Sequence, residues 1–206
     1  MKHELDALLI RSLPELNDAV HRLIALDEQI GREIDAEIQA WIRRNGWMGI
    51  ADWNGESEDT WLAPKDWMVP NDPDENAYLY FGVGYTSADP EDNWDLATFT
   101  SSGHQRLGFW LRFTTVKDRV FKKLWKTQLG KTSALPLHGP EFFLPMELDR
   151  EALAVAVLNG SVADALDPLR ETLDRLPELA SQLDSLKMVV VAAAGEGDTG
   201  AADRTA

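Results

Sequence analysis

Leu107-Gly108-Phe109-Trp110-Leu111-Arg112-Phe113-Thr114 is the stretch whose reading decides the fold. Leu107, Phe109, Leu111 and Phe113 occupy every second position, and Gly108, Trp110, Arg112 and Thr114 fill the others. Successive side chains of a strand point to opposite faces, so the segment reads as a strand with one face buried and one partly exposed. Two runs of similar character precede it, Ala77 to Thr86 and Trp94 to Ser101, both rich in aromatic and β-branched residues. Ala88-Asp89-Pro90-Glu91-Asp92 and Ser102-Gly103-His104 supply turn residues between the runs. The expectation is an α+β fold on an antiparallel meander of about three to five strands within residues 47–115, covered by amphipathic helices from both ends.

Upstream of the meander, Trp47, Trp53, Trp61 and Trp67 lie among Pro, Gly, Asn and acids with no steady period, which reads as loop with short strands. Residues 1–44 read as helix in two pieces. Ser12-Leu13-Pro14-Glu15 places a capping residue three positions before a Glu, with Pro in the first turn, and starts the second piece. Leu16, Val20, Leu23, Ile30, Ile34, Ile38 and Trp41 then recur at fours and threes, broken by Asp27, and such a stripe is expected to be covered. Asn45-Gly46 stops the helix.

Downstream, Val116 to Gln128 reads as a basic amphipathic helix, with Val120, Phe121, Leu124 and Trp125 on one side and Lys122, Lys123 and Lys126 elsewhere. A proline-rich connector through Pro136, Pro140 and Pro145 leads to a short helix capped by Asp149 and ended by Asn159-Gly160. Leu169, Leu173, Leu176, Ala180 and Leu183 form a second long stripe, which invites pairing with the first; Pro177 is expected to kink or split it. The whole reads as one domain over residues 1–191, with a helical segment at 1–44, Trp-rich loops and sheet at 45–115, and helices at 116–191. Residues 192–206, without large apolar groups, read as a disordered tail.

The 206 residues carry 35 acids and 20 Lys or Arg, a formal charge of -15, which disfavours direct binding to nucleic acid or to an anionic membrane through the surface at large. The chain has no cysteine, so disulfides and thiolate metal sites are excluded, and a reducing compartment is the simpler expectation. Met1-Lys2-His3-Glu4-Leu5-Asp6 carries acids where a signal peptide carries bases, and no run approaches the roughly 18 apolar residues of a membrane span, so the expected location is the cytoplasm.

Chemical motifs fail on spacing. Gly130-Lys131-Thr132 lacks the glycine five residues earlier that a phosphate loop needs, since Trp125 stands there. Gly82-Val83-Gly84 lies inside a strand run rather than at a strand-to-helix turn. His3, His21, His104 and His138 show no metal-binding spacing, and His104 beside Ser101 and Ser102 falls in a turn without a nucleophile elbow. Asp72, Asp74, Glu75, Asp89, Glu91, Asp92 and Asp95 lack calcium-loop spacing, and the acid-x-Lys element of restriction-type nucleases is absent. No cofactor or metal is called for.

Charge asymmetry remains. Residues 51–97 hold twelve acids and one lysine, whereas residues 106–131 hold eight bases and one acid. One reading folds the acidic loops over the basic helix in weak surface pairs. The other turns them outward, as an acidic, Trp-rich binding face of Trp53, Trp61, Trp67, Asp72, Asp74, Glu75, Asp89, Glu91, Asp92 and Trp94 suited to a basic protein partner. The functional expectation is a non-catalytic interaction or regulatory module using that face and the helical stripes, through which it could also form a homo-oligomer. Two alternatives stand beside it. The acids could mimic nucleic acid and inhibit a DNA-binding enzyme, or a hydrolase site could assemble His104 or His138 with Asp66, Glu141 or Glu147 near Trp61, Trp67 and Trp110.

Overall fold

The alternating segment at 107–114 becomes a central strand. A computed structural model describes residues 2–52, 60–72, 76–86, 106–114, 118–129, 135–139 and 141–198. Among these, six strands form an antiparallel sheet: β1 (Met48–Ala51), β2 (Thr60–Ala63), β3 (Leu79–Tyr85), β4 (Leu107–Phe113), β5 (Leu137–His138) and β6 (Glu141–Pro145). Their order across the sheet is β1-β2-β3-β4-β6-β5. The helices are α1 (Lys2–Arg11), α2 (Leu13–Asn45), α3 (Asp118–Leu129), α4 (Arg150–Leu158) and α5 (Asp167–Asp198).

β3 and β4 pair along their whole length, from Leu79 opposite Phe113 to Tyr85 opposite Leu107. The first and third expected runs are therefore direct neighbours; the run Trp94 to Ser101 lies outside the described residues. Register explains the pairing: it puts Leu79 and Phe81 on the same face as Leu107, Phe109 and Leu111, all buried. β5 and β6 occupy the expected proline-rich connector. Pro145 can serve there because it is the last residue of its strand, opposite Gly108, where a missing donor is tolerated.

The buried face meets the helices. Ile30, Ile34, Ile38 and Trp41 of α2 and Leu169, Leu173, Leu176, Leu183 and Leu186 of α5 join Leu62, Leu79, Phe81, Phe109 and Leu144 in one hydrophobic core. The two long helices meet at polar ties. Trp41 Nε1 donates to Asp174 Oδ1 at 2.8 Å, and Arg170 reaches Glu37 at 2.8 Å, Asp167 at 2.8 Å and the Ala163 carbonyl at 3.0 Å. The hydrogen bond to Glu37 is the largest influence on the Arg170 guanidinium and raises its pKa, while burial acts in the opposite direction. A raised basic pKa stabilises below the unfolded value and loses that contribution only above it, so the tie is constant across the neutral range. Arg170→Ala would leave Glu37 half-buried without this partner, and a loss of about 1–3 kcal/mol in urea unfolding is expected.

Local signals act as the sequence suggests at two helix ends. Gly46 closes α2 at φ 67° with its N–H on the Ile42 carbonyl, and Asp149 caps α4 by accepting from the Ala152 N–H at 2.7 Å. Pro177 does not split α5, which is one helix from Asp167 to Asp198. A mid-helix proline costs about 3 kcal/mol. Burial of Leu173, Leu176, Leu183 and Leu186 on the same helix outweighs it, at about 1.5–3 kcal/mol per side chain. The disordered tail expected from residue 192 is corrected as well. Ala192, Ala193 and Ala194 are strong helix formers, and Ala194 packs against the core, so α5 continues through them. Residues 199–206 lie outside the described residues.

Candidate functional site

The expected acidic, Trp-rich face is not brought together by the described residues. Trp53, Asp74, Glu75, Asp89, Glu91, Asp92 and Trp94 lie outside them. Trp67 is corrected outright: it is fully buried, its ring stacked 5.5 Å from Phe81, because the single-turn 3-10 helix Lys65–Trp67 drops it into the core. Trp61 is half-buried on the opposite face of the sheet, edge-on to Tyr80 at 5.9 Å. Asp72 accepts a hydrogen bond from Asn76 Nδ2 at 3.0 Å within its own turn.

The residues of the hydrolase alternative are dispersed too. His104 is outside the described residues. Asp66 binds Lys187 Nζ at 2.6 Å, and Glu147 binds Arg106. His138 stands edge-on to Trp110 and Phe143, with ring centroids 6.0 and 5.9 Å away. Glu141, its hairpin partner, borders a cavity described below, and no described histidine lines that cavity.

What the structure does assemble is an apolar helical surface. Beyond Leu26 the N-terminal end of α2 and all of α1 carry their large side chains outside the core. Leu5, Leu8, Leu9, Ile10, Leu13, Leu16, Val20, Leu23 and Ile24 are exposed, from 38% for Leu16 to 68% for Ile10. The expectation of a covered stripe therefore holds from Ile30 to Trp41 and is overturned over Leu16, Val20 and Leu23. The physical reason is reach, because β1, the 3-10 turn Val162–Ala165 and α5 meet only the C-terminal half of α2, where its buried residues lie.

Ser12, at φ -102° and ψ 15°, separates α1 from α2 and takes part in the last hydrogen bond of one and the first of the other. Ser12 N–H donates to the Leu8 carbonyl at 3.0 Å, and Leu16 N–H to the Ser12 carbonyl at 2.9 Å, although Pro14 has no donor. Residues 13–26 of α2 thus form an arm of roughly 21 Å at helical rise, which α1 extends beyond the joint at Ser12. Leu9, Leu13, Leu16, Val20, Leu23, Asp27, Ile30 and Ile34 follow one another at alternating spacings of four and three, the repeat of a helix that packs along another helix. Leu5, Ile10, Ile24 and Leu26 flank that seam and widen it. Sequence reading finds the stripe but not its exposure; the available signal is Asp27, the one polar residue in the seam, at the boundary between the bare and the covered halves.

Among the described residues no group of His, Asp and Glu is arranged to hold a metal ion, and no helix is long and apolar enough to cross a membrane. Compared with known protein families, with curated proteins and with solved structures, the chain matches none.

Proposed function

We propose that the protein is a non-catalytic assembly module that joins to a second copy of itself through the N-terminal helical arm. The exposed seam Leu9–Leu13–Leu16–Val20–Leu23 carries this reading. Leu9, Leu16 and Leu23 fall at one core position of the seven-residue repeat, and Leu13 and Val20 at the other, a pattern that favours helix against helix. An isolated helix of this length is marginal in water without tertiary packing, so the arm gains order by being covered.

Charge selects a like partner. In a chain of net charge -15, residues 2–26 hold four acids and three bases, so two arms approach each other with little of the repulsion that the rest of the surface would impose. A self-complementary patch is what a two-fold pair requires.

Sedimentation and light scattering test the reading. The wild-type chain is expected to be oligomeric, and Leu16→Gln/Val20→Gln/Leu23→Gln, which keeps helix-forming residues, is expected to be monomeric with an unchanged near-ultraviolet tryptophan spectrum. Amides of residues 13–24 should exchange slowly in the wild type and fast in the variant. A wild-type chain that stays monomeric at high concentration overturns the proposal.

A further inference from the structure

The cavity between β4, α3 and β6 lies where the sheet splits. β4 and β6 pair at Gly108–Pro145, Phe109–Leu144 and Trp110–Phe143. One step further, Phe142 and Glu141 pair instead with Leu137 and His138 of β5. Leu111, Arg112 and Phe113 of β4 therefore diverge from β6, and α3 lies over the opening. The space measures about 430 Å³, within the range of about 300–1,000 Å³ found for small-molecule sites.

Its lining has two characters. Leu111, Phe142, Phe121 and Trp125 are buried, and Phe113 stacks on Phe121 with ring centroids 3.9 Å apart, so the walls are apolar and largely aromatic. Lys122 and Lys126 line the cavity with exposed side chains, opposed by Glu141, whereas Arg112 borders it with its guanidinium 5.0 Å over the Trp110 ring. Among the described residues neither lysine is in an ion pair; the ion pairs present use Arg32, Arg106, Arg150, Arg170 and Lys187. Arg119 and Lys123 add further positive charge on the same helix.

We propose that this cavity binds a small amphipathic carboxylic acid, with its apolar body against Phe113, Phe121, Trp125 and Phe142 and its carboxylate at Lys122 and Lys126. The sign follows from two lysines against one carboxylate in the lining. The two lysines, one helical turn apart on α3, act as mobile point charges for the carboxylate. The size of the charge follows from the surroundings. A polyanion such as a nucleotide would meet Glu141 at the rim and the field of a chain of net charge -15 beyond it, whereas a monoanion with an apolar body is drawn in by burial and held by the local bases. The site is separate from the N-terminal arm, and this inference does not rest on self-assembly.

Titration followed by amide chemical shifts and calorimetry tests it on the full chain, with sodium octanoate and sodium 2-naphthoate as probes and 1-octanol and octylammonium as controls. The acids are expected to bind one per chain, with shifts confined to residues 111–113, 119–126 and 141–143. Octanol should bind at least about tenfold more weakly than octanoate, and octylammonium should produce no shifts there. Lys122→Gln/Lys126→Gln changes two exposed side chains; it should weaken octanoate about tenfold or more and bring it level with octanol, while shifts elsewhere stay as in the wild type. Higher salt should weaken the acids and leave octanol unchanged. Equal affinity for octanoate and octanol, shifts dispersed over other surfaces, or no binding of either acid overturns the proposal.

Discussion

Phe81→Ala is expected to remove about 3–5 kcal/mol of stability, a large part of the 5–15 kcal/mol by which a domain is usually held folded. Phe81 is fully buried on β3, and three aromatic rings from different elements converge on it. Trp47, after the end of α2, stacks at 6.1 Å, Trp67 from the 3-10 turn stacks at 5.5 Å, and Phe142 of β6 lies tilted at 5.7 Å. Removing the ring deletes its own burial and leaves a hole that these neighbours, anchored on separate strands and turns, collapse into only in part. Urea unfolding followed by tryptophan fluorescence measures the loss. Phe81→Leu keeps most of the volume and should cost much less. Equal losses for the two substitutions would show that ring convergence is not what holds this part of the core.

Gly108→Ala is the second large effect, and it arises from too little space rather than too much. A methyl group built at Gly108 would fall on the Leu144 carbonyl oxygen of β6 and come within 2.7 Å of the Phe143 ring. The carbonyl belongs to the ladder between β4 and β6, which holds only three residue pairs, so it has little room to yield without breaking that pairing. Overpacking costs typically 1–3 kcal/mol, and about the upper end is expected here because backbone must move. The substitution should also loosen β6 selectively, with faster amide exchange at Phe143 and Leu144 than in β3. Gly82→Ala is the control. An added methyl there meets Arg112 and Tyr80 side chains at 3.5 Å, ordinary contact, and stability should change little.

The centre of the fold is legible in the sequence because its signals are local. Alternation from Leu107 to Phe113 specifies a half-buried strand, the spacing of Ile30, Ile34, Ile38 and Trp41 specifies a buried helix face, and Asn45-Gly46 specifies where that helix ends. β5 and β6 are hidden because Pro136, Pro140 and Pro145 outweigh the short apolar run Phe142-Phe143-Leu144, whose strand character depends on pairing with the distant Gly108–Trp110 segment. Periodicity also says which face of α2 is apolar without saying how far the body extends beneath it, so Leu16, Val20 and Leu23 look the same in sequence as Ile34 and Ile38. Trp67 misleads for a related reason: tryptophans among acids and prolines resemble a binding surface, and only the turn at Lys65–Trp67 directs this one inward. The cavity at the split of β4 and β6 has a partial sequence trace in the bases of α3, but its walls come from three segments that spacing does not connect.

Both outer rims of the sheet are stubs among the described residues: β1 offers four residues with Gly49 at φ 148°, and β5 only Leu137 and His138. An incoming strand finds too little backbone there to grip, which is how natural sheets avoid polymerising edge to edge. Copies that collide at these described stretches of β1 and β5 have little ladder to extend, so a chain stripped of its helical seam should resist growth into fibres through them.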